Sequence, residues 1–299
     1  MMAAESSYSR FTPSAAQRER IVDLAVRVRR NSKAYLGLMI VLSVILVATV
    51  APFVAPYEKN ATDLTARTES PSAAHPFGTD ELGRDVFSRV ILGTRISLYV
   101  GILSILIALL AGMTIGVVAG YYGGWVDELL MRVMDAAMSF PPILLALAIM
   151  VVLGPQLSNV VIALGFVYTP YIARVGRSAA LTERNQEYVE SAVARGESHP
   201  YIVFREVLPN CMAPVFIQAS INVAFAMLSE AALSFLGMGA QPPTPSWGLM
   251  IDAGRGFIET APWMILAPGF AIAYTVIGFN LLGDGLRDVL DPKVEMVET

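Results

Sequence analysis

Uncharged apolar runs long enough to cross a bilayer alternate along this chain with charged segments, and that alternation predicts its elements. Residues 34–56 carry no charge and suffice to cross a hydrocarbon core of about 30 Å as a helix. Before them, residues 1–33 are polar and basic, and from Gln17 an apolar spacing at Ile21, Leu24 and Val28 predicts a short amphipathic helix. A cleaved signal peptide has a shorter charged lead and a shorter apolar run, so residues 34–56 are read as a first membrane helix. Residues 57–95 form a long polar segment, and residues 96–125 are again free of charge. Within that second run Gly112, Gly116 and Gly120 recur every four residues, leaving one helix stripe bare so that a neighbouring helix can approach closely. Tyr121, Tyr122 and Trp125 close the run as an interfacial belt.

A short polar link is expected over residues 127–135. Residues 136–173 are uncharged and too long for one span; Gly154-Pro155-Gln156 divides them into two helices. Pro141-Pro142 is placed to kink the first of these or set its first turn, and Pro170 does similar work near the end of the second. Residues 183–210 are charged, and the fifth span follows over residues 211–236. Residues 237–262, rich in Gly and Pro, predict an outer loop with a short helix near 247–254, and residues 263–283 supply a sixth span. The expectation is an all-α membrane protein. Its parts are an arm (1–33), a first span (34–56), a polar loop (57–95), a core domain (96–284) and a tail (285–299).

Composition agrees. Charged residues make up only 15% of the chain, against about a quarter in ordinary globular domains. The single cysteine, Cys211, excludes an internal disulfide or a thiolate metal cluster. Six spans put both termini on one side, where fifteen Lys and Arg residues lie against six on the other. The positive-inside rule then places both termini and the 183–210 loop in the cytoplasm.

Candidate chemistry is sparse. There is no GxxxxGK[ST] stretch to cradle nucleotide phosphates, no HExxH pair for zinc and no GxSxG elbow. No catalytic or metal site is assigned. Asp80, Glu81 and Asp85 could hold a cation, but a solvated acidic turn is the simpler reading, with Thr79 or Asp80 capping a helix that starts near Glu81. Glu230 is the one ionisable residue in the fifth span, and an acid at membrane depth is costly enough to mark a functional candidate. It is placed near the outer end of its helix, within reach of water or a partner helix, with structural pairing and a substrate role as its two readings.

The most specific pattern lies in the 183–210 loop. Glu190-Ser191-Ala192 is followed by three residues, then Gly196, then eleven residues, then Leu208-Pro209. Gly196 is expected one position past the end of a helix through 187–194, in the left-handed conformation, with a second short helix starting near Ser198 and Pro200. This spacing resembles the EAA loop of ABC-importer permeases, which docks on a cytoplasmic ATPase. Ser191 stands where the family often has Ala, and Glu206 where it has an aliphatic residue, leaving Val203 and Val207 as the apolar contact. The string HPFGTDELGRDVFSRVILGTRISL from His75, with EAALSFLGMG and PSWG further on, resembles the C-type subunits of the dipeptide/oligopeptide/nickel branch.

The resemblance implies a permease of the prokaryotic inner membrane working by alternating access. It implies a companion homologous permease forming a heterodimer, two cytoplasmic ATPase subunits that bind ATP and Mg, and an extracytoplasmic substrate-binding protein. Lipid would surround the chain; no nucleic acid and no cofactor in this chain are implied. Glu190, Ser191, Ala192, Arg195 and Gly196 would form the docking element, and Leu208-Pro209 would set its return to the membrane. An ion-gradient-driven secondary transporter or a channel subunit remains as an alternative, needing neither an ATPase nor a docking loop.

Overall fold

The computed structural model describes residue 23 and residues 26–290. Most of the amphipathic pattern from Gln17, and the tail beyond residue 290, lie outside the described residues. Helix α1 (Ser32–Val54) opens where the Asn31 side chain accepts a hydrogen bond from the Ala34 backbone N–H at 2.9 Å, satisfying a donor that has no partner inside the helix.

Helix α2 (Val86–Tyr122) has 37 residues and begins well before the uncharged run. Its cap is Asp85, whose carboxylate accepts from the Ser88 N–H at 2.7 Å, and no helix starts at Glu81. Asp80 organises a turn instead. Its Oδ1 accepts from the N–H groups of Leu82 and Arg84 at 2.9 and 3.0 Å, and its Oδ2 from the Arg84 guanidinium at 2.6 Å. This turn is not solvated: Asp80 and Asp85 are buried. One indole bonds the turn and a second the start of α2. Trp263 Nε1 donates to the Thr79 carbonyl and Trp247 Nε1 to the Val90 carbonyl, each at 3.0 Å.

The expected polar link is helical. Gly123 and Gly124, both at positive φ, break α2 from helix α3 (Gly124–Met138), whose charges line one side. Helix α4 (Pro142–Leu153) then has only 12 residues, about 18 Å, too short to cross a bilayer alone. Pro141 is extended and Pro142 occupies the first turn, so α3 and α4 meet at a 90° bend. The expected third span is a broken one. Helix α5 (Leu157–Glu183) passes through Pro170 without ending near residue 173.

Helix α6 (Glu187–Ala194) follows. The return to the membrane is a helical segment in three parts: His199–Tyr201, a π-helical stretch Ile202–Val207, and Leu208–Asn210. Helix α7 (Met212–Phe235) leads to the outer loop and to helix α8 (Trp247–Gly254), where Ser246 Oγ accepts from the Leu249 N–H at 3.3 Å as the cap. Helix α9 (Trp263–Leu290) is last.

Helices α2 and α5 lie side by side at the centre, α7 packs across both, and α1 lies on α9 at the periphery. The core between them is built from Val100, Ala108 and Val117 on α2 with Val160, Leu164 and Ile172 on α5. Five of these helices are long and apolar enough to cross a membrane, or six when the bent α3–α4 pair counts as one span. Leu110, Phe166, Phe225 and Phe270 are exposed along them. The protein is an all-α membrane bundle.

Candidate functional site

The loop after α5 is a folded unit with an inside and an outside. Its inside is Val189 and Ala192 of α6 against Ile202, Val203 and Val207 of the return segment, all buried. Ala192, Val203 and Val207 are therefore not available to a partner, contrary to the expectation that Ala192 belongs to the docking element and that the two valines supply its apolar contact. The outer face carries Glu190, Ser191, Val193, Arg195, Tyr201 and Phe204, all exposed. The sequence reading missed Val193, Tyr201 and Phe204. Helical spacing holds the signal: Tyr201 and Phe204 stand three apart on one side while Ile202 and Val203 turn inward.

Gly196 ends α6 at φ 78°. Its N–H donates to the Val193 carbonyl at 2.9 Å and the Glu197 N–H donates to the Ala192 carbonyl at 3.2 Å, the paired bonds of a Schellman motif. A Cβ built at Gly196 would meet nothing within 4 Å, so space is free and only the backbone conformation demands glycine. Pro209 lies exposed in Leu208–Asn210, Leu208 is half-buried beside it, and the chain turns at buried Cys211 into α7.

Tyr188 ties the two ends of the loop. Its hydroxyl donates to Glu183 Oε2 at 2.7 Å and accepts from Asn210 Nδ2 at 3.2 Å. Burial, and then the neighbouring Glu183 carboxylate, push the Tyr188 phenol well above its ordinary range. Two further bonds anchor the loop to the end of α2. Arg184 Nη1 donates to the Gly120 carbonyl at 3.2 Å, and the Tyr121 hydroxyl meets His199 Nδ1 at 2.9 Å.

The loop's mount is the α2–α5 pair. Gly112, Gly116 and Gly120 face α5, where an added Cβ would come within 2.6, 2.2 and 2.6 Å of the carbonyl oxygens of Thr169, Ala173 and Arg177. Backbone thus lies almost on backbone over two turns, in register. Helix α3 clamps the same end of α5: Arg177 pairs with Asp127 through two bonds of 2.5 and 2.6 Å, and Arg174 with Asp135 at 2.6 Å. These pairs join positions 39 and 50 residues apart, which spacing alone does not announce.

Glu230 lies elsewhere, toward the other end of α7. It is fully buried, so of the two neighbours expected for it, water and a partner helix, only the helix reaches it. Ser97 of α2 donates to its Oε2 at 3.2 Å and Ser234 to its Oε1 at 2.7 Å. Ser234 Oγ in turn accepts from the Ala240 N–H at 3.0 Å, which draws the outer loop into the same knot.

No group of three His, Cys, Asp or Glu that could hold a metal occurs among the described residues. Asp80 is paired with Arg84 and Arg89, and Asp85 is hydrogen-bonded to His75 and caps α2, so both acids are already engaged within the chain. The arrangement offers a rigid helical mount and a shaped surface rather than reacting groups.

Residues 112–296 match the model of the family described as binding-protein-dependent transport system inner membrane component. Residues 22–71 match that of the N-terminal TM domain of oligopeptide transport permease C. The chain is 45% identical over 269 residues to the dipeptide transport system permease protein DppC of Alkalihalophilus pseudofirmus, covering 90% of this chain and 88% of that one. To the glutathione transport system permease protein GsiD of Pectobacterium atrosepticum it is 42% identical over 270 residues, 90% of each chain. A solved chain of the inward facing MetNI methionine ABC transporter is similar in fold, with a TM-score of 0.56 at 19% identity, covering 68% of this chain and 97% of that one. With a family model over more than half its length and such relatives over nine-tenths of it, the chain belongs to the binding-protein-dependent transport system inner membrane components.

Proposed function

We propose that this chain carries di- or oligopeptides across the membrane as one of two homologous permeases, driven by cytoplasmic ATPases that dock on the outer face of α6 and the return segment. As a family member it is a permease subunit of an ABC importer, not an enzyme. The observation that carries the docking proposal is the two-sided loop. Five apolar side chains fill its inside, while Glu190, Ser191, Arg195 and the exposed Val193, Tyr201 and Phe204 are left for a partner. The names of its relatives support peptides as the cargo, as does the resemblance to the dipeptide/oligopeptide branch.

The mechanism follows from how the loop is mounted. ATP and Mg would bind between the two ATPase chains, and closure of that pair would push on α6. Tyr188 and Arg184 pass the displacement to α5 and to α2, which is locked to it along the glycine stripe, and the Arg177–Asp127 pair carries it on from α5 to α3. The α2–α5 pair then tilts as one body, opening the path between this chain and its companion to alternate sides. An extracytoplasmic binding protein would deliver the peptide. The excess of Lys and Arg on the loop side supports cytoplasmic termini and an inner-membrane location.

Uptake of a labelled dipeptide into vesicles holding the assembled transporter tests this reading. ATP-dependent uptake that is lost without this chain is the expected result. Uptake driven by an ion gradient without ATP would favour the secondary-transporter alternative.

A further inference from the structure

A cavity of about 370 Å³ opens at the end of α2 opposite the docking loop. Lys59 and Arg95 are its two cations, Leu92, Ile96 and Leu157 form an apolar wall, and Tyr99 stands one turn further along α2. No acid lines it. Neither cation has an ion-pair partner among the described residues, whereas Arg84, Arg89, Arg174 and Arg177 all do. Two unpaired cations in one cavity, on a chain of net charge −4, call for an anion.

Depth decides what kind. Arg95 is the last charged residue before the uncharged run of α2, and Tyr121 marks the aromatic belt at the other end. Along the helix they are about 39 Å apart at 1.5 Å per residue. A bilayer with its headgroup regions is about 40–45 Å thick. Arg95 therefore sits in a headgroup layer, and Tyr99 falls at the boundary with the acyl chains, where aromatic rings with a polar tip are favoured. Below it Ile102, Leu106 and Leu110 continue as exposed apolar residues on α2, the path an acyl chain would take.

We propose that Lys59 and Arg95 bind the phosphate of an anionic phospholipid whose acyl chain runs down α2 past Tyr99. On the orientation given under Proposed function this is a lipid of the outer leaflet; the site itself does not depend on the nature of the cargo. The guanidinium offers a forked pair of donors to phosphate oxygens and the ammonium a mobile one. Their stems cover the apolar wall while the charged ends reach the headgroup.

The test is native mass spectrometry of the assembled transporter, delipidated and then titrated with phosphatidylglycerol or phosphatidylcholine. Wild type should retain phosphatidylglycerol selectively, and Lys59→Gln/Arg95→Gln should weaken that retention about tenfold or more. Arg95→Lys, which keeps the charge and guards against a folding defect in the double variant, should retain it nearly as well as wild type. Equal retention of both lipids by wild type, or unchanged selectivity in the double variant, would overturn the proposal. So would displacement of the lipid by an N-acetylated dipeptide, which would assign the cations to the cargo's carboxylate.

Discussion

Asp127 and Arg177 meet through two parallel hydrogen bonds, 2.5 Å from Nε to Oδ1 and 2.6 Å from Nη2 to Oδ2, joining α3 to the end of α5 that leads into α6. A forked guanidinium–carboxylate pair fixes orientation as well as distance. Both side chains are partly shielded, with 36% of Arg177 and 16% of Asp127 exposed. A double-mutant cycle with Asp127→Asn and Arg177→Gln should give a coupling of about 1–3 kcal/mol in thermal stability. Coupling near zero would mean that the pair is a solvated contact with no part in clamping α5.

The glycine stripe makes a steeper prediction. At Gly116 a Cβ would come within 2.2 Å of the Ala173 carbonyl oxygen, backbone that cannot move without parting α2 from α5. Gly116→Ala should lower stability by roughly 1–3 kcal/mol as an overpacked contact, and Gly116→Leu should prevent recovery of monodisperse transporter. Gly124→Ala, with nothing within 4 Å of the added Cβ and only a left-handed backbone to oppose it, serves as the milder comparison. Equal behaviour of Gly116→Leu and Gly124→Ala on size-exclusion chromatography would refute close packing along the stripe.

Much of this was legible in the sequence, for a physical reason in each case. Helix α8 was expected near residues 247–254, though its cap, Ser246, which accepts from the Leu249 N–H, was not singled out. Helix α6 showed through Gly196 and Pro200, which bound it. Helix α3 was hidden by four charges. Asp127, Glu128, Arg132 and Asp135 read as a polar link, though their three-to-four spacing, with Leu130, Val133 and Met134 between, is a helical one. The start of the second span was expected near Glu81 and falls at Val86, because Asp80 closes a turn with Leu82 and Arg84 and the capping position passes to Asp85. The buried knot around Glu230 depends on Ser97, 133 residues away, and no local pattern announces such a contact.

Glu230 can be tested as a structural knot. Removing its carboxylate leaves the Ser97 and Ser234 hydroxyls buried without their acceptor, at a cost of about 1–3 kcal/mol for each group left unsatisfied. Glu230→Ala should therefore lower the melting temperature of the purified transporter clearly, while Glu230→Gln, which keeps volume and an acceptor, should stay close to wild type in stability and uptake. A Glu230→Gln variant that is stable but fails to transport would assign the acid a role in the cargo path.

Orientation is open to cysteine labelling. With Cys211 replaced, probes at exposed Ser72 and Gln241 should react from outside sealed cells; Gln241 is preferred to the half-buried Thr244. A probe at exposed Ser198 should react only after the membrane is opened. Labelling of Ser198 in sealed cells would invert the topology and remove the docking loop from the cytoplasm.

The central claim is that the surface closed by Gly196 docks an ATPase, and quantitative co-purification of the ATPase with this chain from detergent tests it most directly. Gly196 holds a left-handed backbone, so any side chain there costs roughly 1–2 kcal/mol. Open space around it means that Gly196→Ala adds nothing further. Gly196→Trp has the same backbone cost but projects an indole from the face proposed to dock. The account predicts a mild loss of bound ATPase for Gly196→Ala and near-complete loss for Gly196→Trp, with both variants inserted in the membrane at wild-type levels. Wild-type ATPase recovery with Gly196→Trp would contradict it.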